Sequence, residues 1–225
     1  MSYINKDLLF LNKKQKEFIE SLKNKIKTKI PVKLLNHMTG TLNFSKKLSR
    51  IHLIDNIGKY PVSESNKNDI NEVYHKLCIA CILHDYGKIF NYEELVRIAQ
   101  EEELGLSEFE IKCKPIIHSF VTPFLIFRDF DISDEIILNA VRSHTIGSTR
   151  MNIVDRILYI SDKVEPSRDY GDSRRLRKLS LDNIDLGLLE VYKSNIMYVI
   201  NNNNSLHPDT SNIWNYICGG LKNAT

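Results

Sequence analysis

His84 and Asp85 close the apolar run Leu77-Cys78-Ile79-Ala80-Cys81-Ile82-Leu83. Two adjacent side chains able to ligate a metal have few reasons to stand there unless something binds them. A neutral imidazole beside a carboxylate suits iron, manganese, zinc or magnesium. A carboxylate taken out of water without a partner costs roughly several kcal/mol, so Asp85 must be paired or bound to a cation. His-Asp alone is a common dipeptide; its company is less common. His37 lies upstream, and His118, His144 and Asp162 lie downstream, each within its own apolar or helix-terminal segment. Taken singly, an inward histidine is an ordinary hydrogen-bonded core residue, and Asp162 is an acid paired with Lys163 or Arg168. His52 and His75 stand among polar neighbours and read as surface residues.

Helices must position these side chains, because apolar spacing follows the helical period nearly everywhere and no stretch alternates as a strand would. Leu8 to Lys27 reads as a Lys-rich amphipathic helix. Pro31, tolerated in a first turn, opens a helix carrying Leu34, Leu35, Met38, Leu42 and Leu48. Lys59 to Asp69, with Pro61 and no periodicity, reads as a loop. A helix over Ile70–His84 stops near Gly87. Further helices are predicted at Tyr92–Gly105, Pro115–Phe130, Ser133–Ser143 with Ser133 as its cap, Asn152–Val164, Leu176–Leu181, Leu186–Asn201 and Asp209–Leu221. His37 then faces inward with Leu34 and Met38, His118 enters an early turn, His144 ends a helix that Gly147 terminates, and Asp162 sits among core residues. Bundles build metal sites by converging side chains from facing helices in this way. The expected fold is all-α, a single helical bundle with a metal site in its core.

The 225 residues suit one domain. A hydrophobic content of 42% and a charged content of 26% are ordinary for a globular chain. A net charge of +3, with no basic stripe interleaved with aromatics, argues against nucleic acid. The N-terminus shows no basic-then-apolar leader, and no apolar run is long enough for a membrane span. A cytoplasmic protein without a membrane partner is expected. Cys78-x-x-Cys81 lacks a second pair and lies among Leu, Ile and Ala, which suits buried small hydrophobes rather than a redox or zinc site. No disulfide is expected in a reducing compartment.

Three segments carry a resemblance: Ile82-Leu83-His84-Asp85-Tyr86-Gly87-Lys88, then Ala140-Val141-Arg142-Ser143-His144-Thr145-Ile146-Gly147, then Ile160-Ser161-Asp162-Lys163-Val164-Glu165-Pro166-Ser167-Arg168-Asp169. With His37 ahead of them, the chain resembles the HD-domain metal-dependent phosphohydrolase superfamily. It is most similar to the YqeK-like branch of symmetrical bis(5'-nucleosyl)-tetraphosphatases. The last segment is similar to that branch's "ADYIEPNR" stretch, and the tail from Leu206-His207-Pro208-Asp209-Thr210 to Trp214 matches in kind. The gap from His37 to His84 is longer than the branch usually shows, with the excess falling around Lys59 to Asp69. His37 is followed by Met38 rather than Thr or Ser, which leaves His52 as the rival. His37 is preferred, because Gly40, Ser45 and Leu48 keep the small and apolar positions behind it.

The resemblance implies an HD-domain bundle over residues 29–225, preceded by an N-terminal helical extension at 1–28. It implies that His37, His84, Asp85 and Asp162 hold one divalent metal, iron in several relatives, with manganese, cobalt or zinc as alternatives. His118 and His144 would complete a second metal or touch phosphate. Phosphoanhydride hydrolysis needs an activated water and neutralised phosphoryl oxygens, and bound metals supply both. Asp85 and Lys88 are the expected catalytic residues, Asp85 by bridging and orienting. Lys88, Arg168, Thr145, His118, His144 and His207 are expected at the substrate, with Arg168 as the guanidinium fork for phosphate; Arg142 and Arg150 are weaker candidates. For each cation the plain alternative is a solvated surface charge, for His207 an interhelical turn, and Trp214 reads as core. The expected reaction is cleavage of diadenosine tetraphosphate into two ADP, in a protein that can form a homodimer. Two rivals stand beside it: a phosphohydrolase acting on another nucleotide, and a metal-retaining nucleotide sensor without turnover.

Overall fold

The computed structural model describes residues 11–60 and 70–222, and among these every regular element is a helix. Eleven α-helices run in order among the described residues: α1 Lys13–Lys27, α2 Val32–Asn56, α3 Ile70–Leu83, α4 Tyr92–Glu101, α5 Glu108–Lys112, α6 Ile117–Phe130, α7 Glu135–Ser143, α8 Ile153–Val164, α9 Ser173–Asp182, α10 Ile184–Asn201 and α11 Thr210–Lys222. A single 3-10 turn, Tyr86–Ile89, follows α3. None of these helices is long and apolar enough to cross a membrane. The expected loop at Lys59 to Asp69 falls almost wholly outside the described residues.

The central element is α3. Its last seven residues, the run ending at Leu83, are all buried, as expected of a helix apolar on every side. It packs against α1, α2, α7 and α8, and α2 and α8 also pack on each other. Lys76, a charged residue on this helix, is buried with its Nζ 2.8 Å from Asp134. Cys78 and Cys81 are free and buried within the same helix, and burial pushes the Cys78 thiol up to about 11, so both behave as small hydrophobes. No disulfide joins the described cysteines.

Helix ends follow side-chain capping, and here the structure corrects the sequence reading. Asp134, not Ser133, caps α7, accepting from the backbone N–H of Ile136 and Ile137. Asn152 caps α8 through a reciprocal box with Asp155. A short helix that periodicity missed, α5, is started by the Ser107–Glu110 box. α3 ends at Leu83 rather than at His84, and α4 ends at Glu101, four residues short of Gly105. Two helices are longer than expected: α9 begins at Ser173 and α10 at Ile184. The two histidines read as surface residues are not exposed. His52 is buried, its ring 2.8 Å from the Ser180 carbonyl, and His75 is half-buried edge-on to Phe18. His52 therefore serves the α2–α9 contact and takes no part in the metal-ligating clusters.

Candidate metal centre

Five segments bring their polar side chains to one point between α2, α3, α6, α7 and α8. His37 comes from the second turn of α2, and His84 and Asp85 leave the end of α3. His118 comes from the start of α6, His144 follows α7, and Asp162 lies near the end of α8. His84, Asp85, His118, His144 and Asp162 are buried and His37 is nearly so. Two groups of ligand atoms result, each with its atoms within 4.8 Å of one another: His37, His84, Asp85 and Asp162, and Asp85, His118 and His144.

Asp85 belongs to both. Its Oδ2 faces His84 Nε2 at 3.5 Å and His37 Nε2 at 3.6 Å, whereas its Oδ1 faces His118 Nε2 and His144 Nε2, each at 3.3 Å. Asp162 Oδ1 completes the first group, 2.8 Å from His37 Nε2 and 3.5 Å from His84 Nε2. The other ring nitrogens are fixed by partners that only accept. His84 Nδ1 donates to the Cys81 carbonyl at 2.9 Å and His144 Nδ1 to the Val141 carbonyl at 2.6 Å. Their Nε2 lone pairs are thereby aimed at the cluster, an orientation metal-ligating imidazoles require.

Electrostatics fit the same use. Burial alone would raise the Asp85 carboxyl, yet His84, His118, His144 and Lys88 hold it well below the usual range. Asp162 is likewise held ionised against burial by Lys163, His37 and His84. Burial pushes His144 down to about 4, with the charges of His84 and His118 adding to the effect against Asp85. His118 is lowered by burial as well. The second group thus presents two neutral imidazoles and an anion, the donor set a divalent cation needs. His84 Nε2 and Asp85 Oδ1 are buried without any hydrogen-bond partner, and buried polar atoms are seldom left so. The donors fit a cation at each group.

Around the cluster stands a support that sequence reasoning quoted but did not assign. Glu165 is buried, and its Oε1 lies 3.1 Å from His37 Nδ1. Its carboxylate also accepts from the Ser167 backbone N–H at 2.8 Å and from the Ser167 hydroxyl. Gly40 makes room for it, since a Cβ at that position would collide with the Glu165 carboxylate. Gly147 turns the chain after His144 with φ +82°, a conformation glycine accepts without strain.

The remaining expected residues divide by location. Lys88 Nζ is 2.7 Å from Asp85 Oδ2, and Lys163 Nζ is 2.7 Å from Asp162 Oδ2. Arg168 reaches Asp162 Oδ1 at 3.4 Å and His37 Nε2 at 3.3 Å, while keeping its side chain 42% exposed and free to turn outward. The Thr145 hydroxyl lies 3.1 Å from His144 Nε2. His207 is not in the cluster. It packs against Phe109 and Phe120 and accepts from the Asp209 N–H at 3.1 Å, in the wall of a small cavity it shares with Thr145 and Lys163. Arg142 and Arg150 line a different cavity, with Asp155 and His207. Trp214 is half-buried against the core.

The family model described as HD domain matches residues 34–167. The symmetrical bis(5'-nucleosyl)-tetraphosphatase of Bacillus subtilis (strain 168) is 29% identical over 142 residues, which cover 63% of this chain and 76% of that protein. Its namesake from Staphylococcus aureus (strain NCTC 8325 / PS 47) is 24% identical over 200 residues, 88% of this chain and 93% of that one. Among solved structures, a protein from Clostridium acetobutylicum described as a predicted HD superfamily hydrolase involved in NAD metabolism superposes with a TM-score of 0.75. It covers 89% of this chain and 96% of its own at 24% identity, a likeness of fold.

Proposed function

The chain belongs to the HD domain family, and from that premise we propose that it hydrolyses diadenosine tetraphosphate symmetrically, releasing two ADP. Membership implies a divalent metal, which the donor atoms on both sides of Asp85 suit. The observation that carries the reading is the division of the Asp85 carboxylate, one oxygen to each group. When bound, the cations supply Lewis-acid polarisation of phosphoryl oxygens and a lowered pKa for an attacking water. Iron is our choice for the first group, since two imidazoles and two carboxylates combine donors that suit it. The relatives' name supplies the substrate.

The chain's own residues do the rest. Asp85, kept ionised at neutral pH, holds both sides of the cluster at fixed separation and accepts the proton-side contact of Lys88. Lys88 and Arg168 stand at the rim, in a cavity of about 580 Å³ that His37 and Asp85 also line. There they bind non-bridging phosphate oxygens, Lys88 as a point charge and Arg168 as a fork. Phosphoryl transfer of this kind is governed by positioning and charge neutralisation, and both are prepared in the folded chain. We read residues 1–28 as an addition to the HD domain; of its described part, α1 packs on α3.

Chromatography of the products tests the reading. Metal-loaded protein should convert diadenosine tetraphosphate to ADP alone. ATP plus AMP would contradict symmetrical cleavage, and nucleotide binding without turnover under iron, manganese and cobalt would identify a sensor.

A further inference from the structure

Two cavities flank the cluster: His37 and Asp85 line the first, whereas the second adjoins the cluster through Lys163 and Arg168, which both reach Asp162. The first, about 580 Å³, contains Lys88, His37, Asp85 and Lys33. The second, about 370 Å³, is lined by Lys163, Arg168, Tyr170, Val191, Ser194, Asn195 and Tyr198. Arg168 and Tyr170 belong to both walls and form the ridge between them. Each cavity has a lysine on a cluster carboxylate: Lys88 on Asp85 Oδ2, the oxygen that also faces His37 and His84, and Lys163 on Asp162 Oδ2, each at 2.7 Å. An ammonium has three donors, so each lysine keeps protons for a ligand in its own cavity.

We infer that these cavities seat the two nucleosides of one symmetrical substrate, with Tyr170, Asn195 and Tyr198 recognising the base in the second seat. The inference rests on the proposed reading and deepens it. A molecule with two identical ends around a central bond needs a seat on each side of the reacting atoms, and both volumes fall in the range of small-molecule sites. The second seat carries the chemistry of a nucleoside site. Tyr170 and Tyr198 are 42% and 64% exposed, unusually open for rings of that size. Exposed aromatic rings stack on base faces, and the Asn195 amide offers both a donor and an acceptor for a base edge. The Tyr170 hydroxyl donates to the Lys163 carbonyl at 2.9 Å, which fixes that ring beside the phosphate-facing lysine. Arg168 and Lys163 then receive the phosphates that run from this seat to the cluster.

ADP, the product, counts the seats. Calorimetric titration of the manganese-loaded full chain with ADP should give two molecules per chain. Asn195→Ala combined with Tyr198→Ala, and separately Ser194→Trp, which fills the cavity without touching the cluster, should each reduce this to one. The same variants should raise the Michaelis constant for diadenosine tetraphosphate about 10-fold. One ADP per wild-type chain, or two in both variants, would overturn the inference. If the wild type cleaves the dinucleotide to ADP yet binds a single ADP, the seat fails while the proposed function stands. If it neither cleaves nor binds, the function itself fails and takes the second seat with it.

Discussion

The Glu165 carboxylate lies 3.1 Å from His37 Nδ1, on the side of the imidazole turned away from the metal cluster. This contact sets the tautomer of His37 and turns its Nε2 toward Asp85 and Asp162. Outer carboxylates of this kind are worth about 10- to 100-fold in metal affinity. Glu165→Gln should weaken metal binding by that factor while leaving the helical circular dichroism unchanged. Unaltered affinity in a metal titration would show that Glu165 does not orient His37.

Gly40 should be intolerant for the same reason. Alanine in a helix interior ordinarily stabilises by roughly 0.5–1 kcal/mol over glycine, but here the added methyl meets Glu165. Gly40→Ala is expected to lower metal affinity and to forfeit the helix gain. Denaturant unfolding in the presence and absence of metal would read both effects, and a more stable variant with intact affinity would refute the contact.

Much of the fold was legible because long apolar-periodic stretches leave little choice. The run before His84 is buried on every side, and α3 follows from it directly. Helix ends were less legible, since they depend on which of two neighbouring polar residues captures the free N–H groups. Asp134 won over Ser133 in that contest, and the Ser107–Glu110 box supports five residues too short to show a period. Burial of His52 was invisible for a different reason: its partner is the backbone carbonyl of Ser180, 128 positions away. The candidate ligands were legible as residue types at helix ends, and His37, His84, Asp85, His118, His144 and Asp162 do converge. That Glu165 supports His37 could have been drawn from its place three residues after Asp162, where it emerges from the end of the same helix. The walls of the second cavity had no such signal, because Tyr170 and Tyr198 come from distant segments.

Arg168 meets Asp162 Oδ1 at 3.4 Å and His37 Nε2 and the Asp162 carbonyl at 3.3 Å, all long contacts, and its side chain is 42% exposed, so its loss should spare the metal centre. Arg168→Ala is expected to raise the Michaelis constant for the dinucleotide about 10-fold with a small change in kcat. Steady-state kinetics decide it; an unchanged Michaelis constant removes Arg168 from the phosphate path.

Asp155 makes stability depend on pH. Burial raises its carboxyl to about 7, against the Asn152 backbone and Arg156, which pull the other way. The unfolded value is about 3.9, so between these limits the folded chain binds the proton more tightly than the unfolded chain. Stability contributed by this group is therefore full below about pH 4 and is lost as pH rises toward 7, at up to about 1.4 kcal/mol per unit. Asp155→Asn keeps an oxygen for the Asn152 N–H and removes the titration. Urea unfolding should show the variant gaining on the wild type between pH 5 and pH 8, and parallel pH profiles would contradict the assignment.

On the proposed reading, Asp85 joins two cation sites. Anomalous diffraction from crystals grown with manganese tests it most directly. Two peaks are expected, one on each side of the Asp85 carboxylate, roughly 3.5–4 Å apart as in shared two-metal sites. Both should vanish or weaken together in Asp85→Ala, with turnover lost. Peaks elsewhere in the chain, or an Asp85→Ala protein that keeps both metals and its activity, would contradict it.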